Sequence, residues 1–280
     1  MADRPLPVLA WSSIEGDPAA EHSALFGRKF RRISRFVKLA QVAAARCTAQ
    51  RPDVDIRAAG LFIGTGLGNT ADIVPLAEGV LHPNRPRCSP MSFAGCLGNA
   101  ASFFTARSLA CLGPNVTISQ EDLSFEAALL EATLALRAGD IQLAMVGGVD
   151  IISGDEPEQR ERMNAVGAPG RCAQGAAFLL LAADGDAPAL LQECWLGAAP
   201  RQVVLADLPA TARLLPGWRL TGSALCHHGG VAEFEERLLP VATGLRIAEA
   251  LDANEPSFVH LQRSAAGTWG RVRLARTGRV

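Results

Sequence analysis

The chain has 280 residues, with Lys plus Arg at 27 against Asp plus Glu at 28, a formal net charge of −1. That balance excludes a generic polyanion binder, which carries a marked basic excess. Hydrophobic residues at 49% and charged residues at 20% exclude an intrinsically disordered chain.

The first strand is predicted at Val8-Leu9-Ala10-Trp11. A helix is predicted over 28–47, because Phe30, Ile33, Val37, Ala40 and Ala44 recur at helical spacing while Arg28, Arg31, Arg32 and Arg35 fall on another face. Residues 59–65 read as a buried strand running into Gly64-Thr65-Gly66-Leu67-Gly68-Asn69. Residues 81–95 are proline-rich and read as an irregular crossing loop. A second helix is predicted over 99–112, closed by Gly113-Pro114, and a short strand over 115–119 with Val116 and Ile118 on one side. The clearest helix is 124–138, where Leu123, Ala127, Leu130 and Leu134 mark one face and Gly139-Asp140 ends it. Strands follow at 142–149 and 176–182, separated by a polar, loop-like stretch at 153–171. The rhythm argues for an α/β fold with a covered, largely parallel sheet. From about residue 202 it repeats in shortened form: a strand at 203–206, a helix over 231–251, and strands near 257–261 and 269–275. No hydrophilic linker separates residues 1–200 from residues 201–280, so the two halves are expected to share one compact body.

The seven cysteines, Cys47, Cys88, Cys96, Cys111, Cys172, Cys194 and Cys226, are odd in number and scattered, with no CxxC pair. They read as small buried hydrophobes inside a reducing compartment, not as a disulfide framework or a zinc site. The N-terminus lacks the basic-then-apolar pattern of a signal peptide, and the run at 176–183 is too short to span a bilayer. A soluble, cytoplasmic protein is expected. The chain contains no tyrosine, so no phenol is available as acid, base or nucleophile.

Several segments, in order over about residues 24–183, resemble the condensing enzymes of the β-ketoacyl synthase family. They are Phe62-Ile63-Gly64-Thr65-Gly66, Ser89-Pro90-Met91-Ser92-Phe93 with Leu97-Gly98-Asn99-Ala100-Ala101, Gly113 to Ser119, Arg137-Ala138-Gly139-Asp140 with Val146-Gly147-Gly148-Val149-Asp150, and residues 170–181. The resemblance implies a thiolase-like fold, layered α-β-α-β-α, here with a shortened second half. It implies a Cys-His-His site, in which a cysteine thiolate at a helix N-terminus takes an acyl chain and two histidines act on a malonyl thioester.

The matched positions depart from that set. Thr117-Ile118-Ser119-Gln120-Glu121-Asp122-Leu123-Ser124 places Asp122 on the family nucleophile. The first histidine position falls on Asp207, within Ala206-Asp207-Leu208-Pro209, and the second on His227, within Cys226-His227-His228-Gly229-Gly230. The family lysine falls on Gly222. Asp122 reads equally well as an acidic residue favoured by a helix start. No catalytic set is therefore intact. The resemblance is to the chain length factor subunits that pair with an active ketosynthase in type II polyketide, aryl polyene or fatty-acid-like chain elongation, bounding the acyl tunnel.

Expected partners are an active ketosynthase and an acyl carrier protein, with no nucleic acid, membrane, cofactor or metal. Phe93, Cys96, Asn99 and Phe103 would lie at the partner or tunnel segment. Arg28, Arg31, Arg32 and Arg35 form a basic face suited to an acidic carrier, or simply a solvated helix face. Two readings compete. One is an acyltransferase or hydrolase using Cys96, Cys226 or Asp122 with His227; the other is a carrier-binding module. The glycine loop at 64–69 lacks the dinucleotide spacing and reads as a structural turn.

Overall fold

The computed structural model describes residues 4–27, 33–82, 90–152, 154, 157, 171–198, 223–227, 233–235, 237–238, 241–264 and 268–278. The elements of the first half, in chain order, are β1 (Leu6–Glu15), α1 (Ala19–Phe26), α2 (Arg35–Ala49), β2 (Gly60–Gly64), α3 (Thr70–Leu81), α4 (Pro90–Gly95), α5 (Ala100–Leu109), β3 (Asn115–Ile118), α6 (Ser124–Ala138), β4 (Leu143–Asp150), β5 (Arg171–Cys172) and β6 (Gly175–Ala182). Those of the second are β7 (Ala189–Gly197), β8 (Ser223–His227), β9 (Glu233–Glu235), β10 (Arg237–Leu238), α7 (Val241–Asp252), β11 (Ser257–Arg263) and β12 (Trp269–Arg276).

One ten-stranded sheet runs β3-β2-β4-β6-β1-β7-β12-β11-β8-β9, while β5 and β10 pair separately. Counted within each half, the order outward from the middle is the same: first strand, last, next to last, second, third. The halves meet where β1 pairs antiparallel with β7 across Leu6, Pro7 and Val8. In the first half β1, β6 and β4 are antiparallel neighbours, and β4, β2 and β3 run parallel. In the second half every described pair is antiparallel. The sheet is therefore mixed and mostly antiparallel, not largely parallel. A strand covered on both faces reads as a continuous apolar run whichever way its neighbour points.

Side-chain alternation assigns the layers. Leu61, Ile63, Met145, Phe178 and Leu180 pack with Phe36, Leu39 and Val42 of α2 and with Ala100 and Ala101 of α5. Their chain neighbours Phe62, Val146, Leu179 and Leu181 point the other way, into a second core with Phe125 and Leu129 of α6 and Ile247 and Leu251 of α7. Leu191, Phe258, Val272 and Leu274 of the second half reach the same core. Helices α6 and α7 thus lie between the two halves, giving helix, sheet, helix, sheet among the described residues. On β12, Gly270, Val272 and Leu274 are buried while Trp269, Arg271 and Arg273 are half-buried, the signature of a strand covered on one face.

Several boundaries differ from the sequence reading. Helix α2 begins at Arg35, because the Ser34 hydroxyl accepts a hydrogen bond from the Val37 amide and caps it there. Within the stretch 81–95, Leu81 ends α3 and Pro90–Gly95 form α4, so these positions are helical where a loop was expected, while 83–89 lie outside the described residues. Pro75 is tolerated inside α3. Helix α5 stops at Leu109 because Ala110 turns left-handed (φ 56°). Within the predicted helix 231–251, residues 233–235 and 237–238 are strands, and α7 starts only at Val241. Leu134 faces solvent on α6, whereas Leu123 and Ala127 are buried. The predicted strand 203–206 lies outside the described residues.

Candidate functional site

Strands β2, β3 and β4 end side by side, with Gly64 opposite Ile118 and Gly148. Carboxyl ends of neighbouring parallel strands are where open α/β sheets place their sites. A β-carbon added at Gly64 would stand 2.2 Å from the Ser124 carbonyl oxygen. The start of α6 therefore rests directly on the end of β2, and only glycine permits that approach. Between β3 and α6 the chain makes a tight turn, Glu121–Leu123, with Glu121 left-handed at φ 47°. Such a conformation is costly for a non-glycine residue and marks a constrained elbow. The Ser124 hydroxyl stabilises it, donating to the Glu121 carbonyl (2.7 Å) and accepting from the Gln120 amide (2.8 Å).

Asp122 lies in that elbow, at the amino end of α6, and is buried to 9% exposure. A helix amino terminus favours negative charge. One turn on, Glu126 is fully buried. Its Oε1 accepts from the Thr243 hydroxyl of α7 at 2.7 Å and lies 4.0 Å from His260 Nδ1 of β11. Burial pushes the Glu126 carboxyl up to about 8, and the charge of Asp122 adds to the rise. Burial, reinforced by the Arg246 charge, holds His260 down at about 3.

The loop after β2 is fixed by Asp150, the last residue of β4. One carboxylate oxygen accepts from the Thr65 hydroxyl (3.1 Å) and the Gly66 amide (2.9 Å); the other accepts from the Val241 amide (3.0 Å), at the start of α7. Burial outweighs these bonds and raises Asp150 to about 7. The Gly68 amide donates to the Thr65 hydroxyl and the Thr65 amide to the Ile118 carbonyl. The amides of the glycine loop are thus spent within the protein, as a structural turn requires.

The other predicted positions are less concentrated. His227 ends β8 opposite Phe258, and Cys226 pairs with Val259. Asp207, Gly222, Arg28, Arg31 and Arg32 lie outside the described residues. Arg35 donates to Gln174 Oε1 (2.6 Å) and to the Gly16 carbonyl (2.8 Å). Phe93 and Phe103 stand half or more exposed, Asn99 is exposed, and Cys96 is partly buried. Cys47, Cys111, Cys172 and Cys194 are buried. Burial raises the Cys47 thiol to about 12 and the Cys111 thiol to about 11, far from thiolate chemistry. Sequence reasoning missed Glu126 and His260. The available signal was a carboxylate on a helix stripe otherwise filled by Leu129 and Thr133, and an imidazole inside an apolar strand.

Among the described residues no grouping of three His, Cys, Asp or Glu side chains suits a metal ion, and no helix is long and apolar enough to cross a membrane.

The family model of the β-ketoacyl synthase N-terminal domain matches residues 13–185, more than half of the chain. No curated protein sequence matches it. Among solved structures the chain is similar to the ishigamide ketosynthase/chain length factor, with a TM-score of 0.75 at 14% identity over 98% of this chain and 100% of that one. It is also similar to a type II polyketide synthase acyl-carrier protein in complex with its ketosynthase bound to the hexaketide (AntDE:AntF), with 0.71 at 12% identity over 98% and 99%. A third likeness is to the ketosynthase ApeO in complex with its chain length factor ApeC from Xenorhabdus doucetiae, with 0.61 at 14% identity over 98% and 100%. At these identities the likeness is one of fold, and it agrees with the thiolase-like architecture that the sequence resemblance implied.

Proposed function

Because the chain belongs to the β-ketoacyl synthase family, we propose that it is a non-catalytic, chain length factor-like subunit that pairs with an active ketosynthase. The observation that carries this reading is Asp122, buried in the elbow that opens α6, where the resemblance places the acyl-accepting cysteine. A carboxylate in that place gives an acyl anhydride, which is itself labile, so it makes a poor carrier of a growing chain. The elbow, the glycine contact beneath it and the Asp150 clamp remain built while the nucleophile is gone.

A partner face is supported by the edge of the sheet. Strand β3 is the outermost strand of the first half, and exposed strand edges invite pairing. Beside it α5 exposes Phe103, and Leu112 just before β3 is 84% exposed; Phe93 and Leu97 add apolar surface. Phe93, Cys96, Asn99 and Phe103 are assigned to this partner or tunnel segment. Arg28, Arg31, Arg32 and Arg35 are assigned to carrier docking, with Arg35 also bracing Gln174. Asp207 and His227 fill the two histidine positions, so one of the three family groups is kept. Such a subunit works in the cytoplasm, beside carrier-bound thioesters. Its two parts, divided near residue 200, act as one body.

The test is co-expression with a ketosynthase that carries the full Cys-His-His set. A stable complex of the two chains is expected, together with insoluble or self-associated protein when this chain is made alone. A well-behaved monomer at micromolar concentration, with no complex, contradicts the reading.

A further inference from the structure

Behind Asp122 the protein encloses a polar cluster that the partner reading does not use. Glu126 of α6, Thr243 of α7, and His260 and Gln262 of β11 are all buried to 2% exposure or less. The cluster sits where the helices between the two halves meet the second half of the sheet. A β-carbon at Gly270 of β12 would come within 3.0 Å of Glu126 Cγ, and the Cys194 thiol of β7 lies 3.6 Å from the Glu126 carbonyl. One residue of α6 thus touches α7, β7 and β12, and approaches β11.

The hydrogen bonding is incomplete for an ion pair. Among the described residues, Glu126 Oε2, both ring nitrogens of His260 and Gln262 Oε1 have no hydrogen-bond partner. A buried carboxylate supported by the Thr243 hydroxyl and its own backbone amide, and by no cation, is poorly stabilised, whereas a carboxylic acid asks for less. We propose that the Glu126 cluster is a proton-linked latch between the two halves, closed while Glu126 carries its proton and loosened when the proton leaves to water.

The charged and titratable groups around Glu126 agree with this. Asp122, preceding α6, repels a Glu126 carboxylate. His260 of β11 stays neutral, partly through Arg246 of α7, and supplies no positive charge. On β7 Cys194 is held as the thiol by burial, with Glu126 and Glu193 adding to the rise and Arg137, further along α6, opposing it. Glu193 pairs instead with Arg271 of β12 at 3.3 Å. Burial gives Glu126 its affinity for a proton up to about pH 8. The folded chain therefore holds a proton that the unfolded chain gives up near pH 4.5. The stabilisation is full below that and is lost as pH rises to about 8, by about tenfold in the unfolding equilibrium per pH unit.

The test is infrared difference spectroscopy on the full chain, in the assembly in which it purifies, comparing wild type with Glu126→Gln. Wild type is expected to show a carboxylic-acid carbonyl band near neutral pH that is missing from Glu126→Gln and fades around pH 8. Amide protection at the start of α6 and along β11, taken relative to the base-catalysed intrinsic exchange rate, should fall over the same range in wild type only. Thr243→Val removes the hydroxyl that favours the ion and is expected to move the fading to higher pH. Absence of the band, amide protection in wild type that does not fall across this range, or an unmoved titration in Thr243→Val overturns the proposal.

Discussion

Asp122 and Gly64 are the residues on which the site turns. If Asp122 has no chemistry, Asp122→Ala should leave the product output of the reconstituted pair unchanged; a large drop in turnover with intact assembly contradicts that. Gly64 matters for packing. Any side chain there meets the backbone of Ser124 at 2.2 Å, and backbone does not yield as a flexible side chain does. Gly64→Ala should therefore cost about 3 kcal/mol, the upper end of overpacking, measured as a lowered urea midpoint. At this scale the sequence was informative where a residue type is itself the message. The glycine at the end of β2 and the acidic residue, Asp122, at the start of α6 were visible. Glu126 and His260 were not, because a charge on a buried stripe is recognisable only once the stripe is known to be covered by β7 and β12.

The elements were legible in proportion to how much local chemistry sets them. Helix α6 was predicted over the residues it occupies, since its apolar spacing and the left-handed Gly139 (φ 81°) are local signals. Helix α2 was extended too far upstream because the apolar period continued through Ile33, while the cap at Ser34 decided the start. Ser34→Ala should lower stability by about 1 kcal/mol, as lost caps do, seen in thermal unfolding. The start of α7 was unreadable because its partner is remote: Asp150, from β4, accepts the Val241 amide. The carboxyl of Asp150 keeps its proton to about pH 7 when folded, against 3.8 in its ordinary state. Its stabilisation is full below the lower value and is lost as pH rises to the higher one. Asp150→Asn should therefore flatten the fall in stability across that window; an unchanged slope contradicts the assignment.

Across the whole molecule, the repeat of one strand order in two halves explains both the success and the error of the sequence reading. The first half keeps both faces covered, and its continuous apolar strands carried the family segments. The second half alternates buried and half-buried residues on β12, so its pattern is weaker and its resemblance faint. Strand direction was misread because burial alone does not encode it. The near-neutral charge and high apolar content also gain meaning at this scale. Beyond its buried cores, the described chain exposes Val80, Leu81, Phe93, Leu97, Phe103 and Leu112, all on or beside the helices and loops of the first half. Obligate interfaces are of this apolar kind. Replacing Phe103 and Leu112 with aspartate together should abolish pairing with the ketosynthase while leaving the fold intact by circular dichroism; retained pairing would show that the partner uses another face.

The most direct test of the central claim is intact-mass analysis of the co-purified pair after incubation with an acyl carrier thioester. An acyl adduct is expected on the ketosynthase chain and none on this one. A stable acyl adduct on this chain, at Cys96, Cys226 or Asp122, contradicts the claim and makes the protein an enzyme in its own right.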